Sequence, residues 1–124
     1  MPGKQTIGRK GEQIAREFLE RSGYRIEATN WRFSRAEIDV VAKKGEVLVF
    51  VEVKTRTSVS KLFGRPEDAV GYHKIKHLSE AAAAYMRETN HQWAIRFDII
   101  GVLMPSSGDV EIRHFTDVFF PRLR

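Results

Sequence analysis

Ala36-Glu37-Ile38-Asp39-Val40-Val41-Ala42, linked by Lys43-Lys44-Gly45 to Glu46-Val47-Leu48-Val49-Phe50-Val51-Glu52-Val53-Lys54, decides the fold of this chain. Both halves read as strands, over residues 37–42 and 46–54. The run Val47 to Val51 is apolar on both parities, the pattern of a central strand covered on both faces. Acidic side chains beside such runs are costly unless something pairs with them. A divalent cation together with Lys54 would do so, and a site of that kind suits the cutting of phosphodiesters. The same residues also fit a cross-strand ion-pair cluster.

Alternation along a strand puts Glu52 and Lys54 on one face of the later strand, with Leu48 and Phe50, and Glu37 and Asp39 on one face of the earlier. A loop of even length brings Asp39 to the face of Glu52, opposite it or one diagonal step away. Diagonal cross-strand neighbours lie roughly 7–8 Å apart, within reach of a shared cation. A slip of one residue sends Asp39 to the other face. Hard ions such as Mg²⁺ or Mn²⁺ take oxygen ligands, so Asp39, Glu52 and the Val53 carbonyl are candidate ligands. Lys54 would orient the attacking water or stabilise charge on the transition state. Glu37 either joins this site or pairs with an arginine at the strand end.

Before this hairpin, Ile14, Ala15, Phe18 and Leu19 recur at helical spacing over residues 8–22, and Gly23 ends the helix. Glu12 falls at the edge of that apolar stripe, where it packs near the sheet with its carboxylate available. Residues 24–31 read as a first strand and 30–35 as a polar connection. After the hairpin, residues 55–65 are polar and basic. Pro66 suits a first helical turn, with Glu67 and Asp68 complementing its positive end. Ile75, Leu78, Ala82, Tyr85 and Met86 form the apolar stripe of a helix over 72–88. Residues 93–103 and 110–115 read as two more strands. The order is α-β-β-β-α-β-β, one α/β domain over residues 1–124 with its core at about 8–115.

The 42% hydrophobic fraction, with eight Phe and two Trp, suffices for a packed core. Twenty-one Lys and Arg against 16 Asp and Glu leave +5, a balance that favours polyanions such as DNA. With no cysteine, disulfides, thiolate nucleophiles and Cys-based zinc sites are excluded. That fits a reducing, cytoplasmic setting. Residues 1–9 carry no apolar run, so no signal peptide is expected, and no stretch approaches the ~20 apolar residues of a membrane span. Arg56, Lys61, Arg65 and Lys74 are candidate phosphate contacts, each of which also fits a solvated surface. His73 and His77 have the i, i+4 spacing of zinc ligands but no intervening Glu, and read as surface. Asp98 is expected to pair with a basic neighbour, and Trp31, Trp93 and Phe97 to lie in the core rather than stack on bases.

Gly8-Arg9-Lys10-Gly11-Glu12, Asn30-Trp31-Arg32, Ala36-Glu37-Ile38-Asp39, Val49 to Arg56 and Phe63-Gly64-Arg65-Pro66 resemble the YraN-like family of small bacterial proteins. That family is similar to archaeal Holliday-junction resolvases and to the PD-(D/E)xK nucleases. The resemblance implies a restriction-endonuclease-like fold, a central mixed sheet of about five strands flanked by helices. It matches Asp39 to the motif Asp, Glu52 and Lys54 to the E-x-K, and Glu12 to the helix-one Glu of resolvases. It also implies Mg²⁺- or Mn²⁺-dependent cleavage of structured DNA by a homodimer. Ala36 stands where the family usually has Gly, and Ile38 where a Pro often precedes the Asp.

Overall fold

The computed structural model describes residues 4–58 and 72–118, with side chains from 7–58 and 75–118. Among the described residues seven elements follow in the expected order: α1 (Lys4–Arg21), β1 (Arg25–Phe33), β2 (Ala36–Lys44), β3 (Val47–Arg56), α2 (Tyr72–Thr89), β4 (Ile95–Leu103) and β5 (Glu111–Phe115). The sheet order is β1-β2-β3-β4-β5. Among the described strands β3 and β4 pair in parallel, through the crossover that carries α2, and the other pairs are antiparallel. The helix expected to open at Pro66, and Lys61 and Arg65, lie outside the described residues, as do the side chains of His73 and Lys74.

The two described helices, α1 and α2, stop for the same reason. Tyr24 N donates to Leu19 O and Gly23 N to Glu20 O, around Gly23 at φ 92°. His91 N donates to Met86 O and Asn90 N to Arg87 O, around Asn90 at φ 55°. In each case a left-handed residue lets the chain turn back and satisfy the last carbonyls.

The sheet carries a core on each face. Val40, Ala42, Val49, Val51, Ile100 and Val102 pack under Ala15 and Leu19 of α1. Ile38, Val41, Leu48, Phe50, Phe97 and Ile99 pack under Leu78, Ala81, Ala82 and Tyr85 of α2. Leu48, Val49, Phe50 and Val51 are all sealed from solvent, as their two-parity apolar pattern requires of a central strand. Phe50 stacks on Phe97 at 5.2 Å and meets the edge of Tyr85, which in turn meets Trp31. Trp93 departs from expectation: it is 55% exposed, set against His91 and the Lys43 ammonium rather than in the core.

Asp98 pairs as expected, with more partners than one. Arg96 donates to both its oxygens at 2.8 Å, His114 Nε2 lies at 2.7 Å, and Asp117 N donates at 3.0 Å. Burial alone would raise the pKa of Asp98; these partners outweigh it and hold the carboxyl below its usual range. The network ties β5 and the chain after it to β4.

Among the described residues no helix is long and apolar enough to cross a membrane.

Candidate functional site

The β2–β3 turn is two residues, Gly45-Glu46, since Lys44 pairs with Val47 and the register continues to Val40 opposite Val51. Continued one step, that register sets Asp39 against Glu52. The ladder stops there, and the Asp39 side chain takes its place: Val53 N donates to Asp39 Oδ2 at 2.8 Å. The two strands fork at this point, with Asp39 in the crotch.

Alternation explains how Asp39 reaches it. Ile38 belongs to the α2-side core and Val40 to the α1-side core, although they are two residues apart. A regular strand would put both on one face, so β2 changes parity at Asp39. The neighbouring strand breaks at the same level. Ala28 and Trp31, three apart, both pack toward α2, and between them Asn30 adopts φ 50°. Thr29 pairs with Val40 and Trp31 with Ile38, so Asn30 lies across from Asp39. Residues 30–35 are therefore not one polar connection: β1 runs to Phe33, and Ser34-Arg35 alone makes the turn.

Helix α1 delivers Glu12 to this level through Gly11. A Cβ at Gly11 would run into Thr55 Oγ1 of β3, so only glycine permits this closeness of helix and strand. Glu12 then lines a cleft with Gly8, Val53, Thr55, Arg56 and Thr57.

Four carboxylates converge electrostatically. The pKa of Asp39 is raised from 3.8 to about 7, chiefly because burial disfavours the ionised form. The Val53 hydrogen bond opposes this, and the charges of Glu12, Glu52 and Glu37 add to the rise. Glu52 Oε2 is sealed from solvent. Glu37, Asp39 and Glu52 line a void of about 10 Å³ beneath α2, room for about one water-sized sphere. Glu37 is held by Arg32 at 2.7 Å, the strand-end pairing considered from the sequence. Lys54 follows Glu52 by two positions, beside Gly101 of β4. Arg56 faces the cleft and donates to Thr55 O at 2.8 Å.

The donor set suits Mg²⁺ or Mn²⁺ in kind, being hard carboxylate oxygen. In spacing it is incomplete: among the described residues no three His, Asp or Glu side chains form a group that could hold a metal ion. Sequence reasoning missed Asn30. Its amide faces two carboxylate oxygens, and turned to suit them its NH₂ donates to Glu37 Oε1 at 2.9 Å and Glu12 Oε1 at 3.1 Å. The available signal was an asparagine, a residue that tolerates the left-handed region, inside an otherwise strand-like stretch.

Residues 11–102 match the uncharacterised protein family UPF0102. A UPF0102 protein of Flavobacterium psychrophilum is 44% identical over 97% of this chain and 98% of its own length. One from Bacteroides thetaiotaomicron is 44% identical over 99% of each, and one from Chlorobaculum tepidum 44% over 93% and 88%. Among solved structures, SfsA of Pyrococcus furiosus in complex with Ca²⁺ superposes with a TM-score of 0.44 at 18% identity, over 90% of this chain. The chain spans 63% of that protein's length.

Proposed function

For a chain that belongs to the UPF0102 family, we propose a metal-dependent endonuclease that hydrolyses DNA phosphodiesters, with branched or otherwise structured DNA as substrate. The observation that carries this reading is Asp39 at the fork of β2 and β3, its pKa raised to about 7 among Glu12, Glu37 and Glu52. A carboxylate pushed that far by burial and like charge is costly to ionise unless a cation joins it, and such groups concentrate at functional sites.

A bound Mg²⁺ or Mn²⁺ would polarise the scissile phosphate and acidify a water. Asp39 and Glu52 would hold the ion, with Glu12 and the Val53 carbonyl adding oxygens from α1 and β3. Glu37 is already engaged by Arg32 and would stand behind them. Lys54 would orient the attacking water or meet charge developing on the phosphate. Thr55, Arg56 and Thr57 line the adjoining cleft and would take flanking phosphates, fixing the duplex without reading its sequence. A homodimer would present two such sites to a branched substrate.

A second reading keeps the fold and the DNA contacts without cleavage. It is favoured by the absence, among the described residues, of three side chains spaced to share an ion.

Linear, flapped, single-stranded and four-way DNA, each with Mg²⁺, Mn²⁺ or chelator, separates the two. The wild type is expected to cut in Mg²⁺ or Mn²⁺ and not in chelator. Asp39→Asn and Lys54→Ala are expected to lose about 100-fold or more in rate, with DNA binding retained in Asp39→Asn. Cutting that survives both substitutions rejects this site. Binding with no cutting under any metal leaves the second reading.

A further inference from the structure

Asn30 ties three elements together at one point. Its backbone is on β1, its amide NH₂ reaches Glu12 on α1, and the same NH₂ reaches Glu37 on β2. Directly across the ladder is Asp39. Glu37 also pairs, through its other oxygen, with the exposed Arg32 side chain.

Glu12 has an electrostatic reason to leave. It shares the fork with the carboxylates of Asp39 and Glu37, and it borders an open cleft into which its side chain could turn. A like-charged pair separates unless something holds it. Gly11 brings the helix close but fixes no rotamer of the residue after it. Within hydrogen-bond reach, the Asn30 amide supplies the missing restraint. Its two N–H donors serve two carboxyl groups, one on each neighbouring element.

The left-handed region admits asparagine as well as glycine, as Asn90 at φ 55° and Gly45 at φ 60° show. What asparagine adds at position 30 is the amide.

We propose that Asn30 is a positioning residue that holds the Glu12 carboxylate beside Asp39 and so keeps the oxygen donors of the site together. Its effect on ion binding rests on the metal-dependent reading above; its grip on Glu12 does not.

A double-mutant cycle on the full chain tests this, with Asn30→Gly, Glu12→Ala and the two combined. Each protein is titrated calorimetrically with MnCl₂ and unfolded in urea at pH 8. Asn30→Gly keeps the left-handed turn and removes only the amide, so it is expected to stay folded and to bind Mn²⁺ roughly tenfold more weakly, as loss of a ligand's supporting hydrogen bond does elsewhere. In the Glu12→Ala background the same change is expected to cost no further affinity. In urea, the midpoint shifts of the two single variants are expected not to sum in the double variant.

Wild-type affinity in Asn30→Gly, or losses that multiply in the double variant, overturns the proposal. Should the wild type itself bind no Mn²⁺, the metal-dependent reading falls, and the urea cycle alone decides: non-additive shifts uphold the Asn30–Glu12 link, and additive shifts reject it.

Discussion

Asp39→Asn should make this protein more stable at neutral pH while abolishing its proposed activity. The unfolded chain releases the Asp39 proton near 3.8, and the folded chain only near about 7. Between those values the folded state holds the extra proton. The associated stability is complete below about pH 4 and is lost as pH climbs to about 7. Each factor of ten in proton affinity is worth about 1.36 kcal/mol, so a rise of this size corresponds to about 4 kcal/mol. Asp39 keeps some solvent contact, and screening trims this to roughly 2–4 kcal/mol. Asparagine has the same shape, its carbonyl still accepts from Val53 N, and it carries no charge to repel Glu12, Glu37 and Glu52. Urea unfolding between pH 5 and 8 measures the effect. Wild-type stability should decline across that range, the decline in Asp39→Asn should be much shallower, and the variant should exceed the wild type at pH 8 by roughly 2–4 kcal/mol. Equal slopes, or a variant weaker at pH 8, would refute the claim that Asp39 is strained by its surroundings. A side chain whose replacement stabilises the fold is one retained for something other than folding.

Three further outcomes are expected. Mn²⁺ should raise the melting temperature of the wild type and leave Asp39→Asn unmoved, by linkage of the ion to the folded state; differential scanning fluorimetry reads both. Gly11→Ala should cost about 1–3 kcal/mol in urea unfolding, because its new methyl meets Thr55 where α1 crosses β3. Asp98→Ala should cost about 2–4 kcal/mol, since it removes a fully buried carboxylate bonded by the part-buried Arg96, by His114 and by Asp117 N. Because the partners of Asp98 hold its pKa low, the stability it provides is present above its unfolded pKa and lost as pH falls through the folded one. Acid unfolding below pH 4 should therefore be blunted in that variant.

The elements were legible because each rests on a local pattern. The two-parity run Val47 to Val51, the stripes from Ile14 to Leu19 and from Ile75 to Met86, and the stop at Gly23 set their own boundaries within a few residues. The face of Asp39 was left open, because it hangs on the parity of the turn; the turn is Gly45-Glu46 rather than Lys43-Lys44-Gly45, and the register continued from Val40 and Val51 sets Asp39 against Glu52. The paired breaks at Asn30 and Asp39 were hidden, because a parity change shows only when it is known which core each neighbour joins. The bond from Asn30 to Glu12 spans two elements and leaves no trace in spacing. Trp93 was misplaced because hydrophobicity reports a preference for burial and not whether the fold leaves room.

All four acids of the site, and the asparagine that links two of them, lie on α1 and the β1–β3 meander, whose strands pair with their immediate neighbours in sequence. Such short-range contacts close quickly, whereas the parallel join of β3 to β4 waits for the whole α2 crossover. On the ribosome, then, the first half can gather its acids early while Ile38, Val41, Leu48 and Phe50 still lack their cover from α2. The hazard for the nascent protein is that greasy side of the meander, and the arrival of the second helix, more than any step at the acids, sets how long aggregation stays within reach.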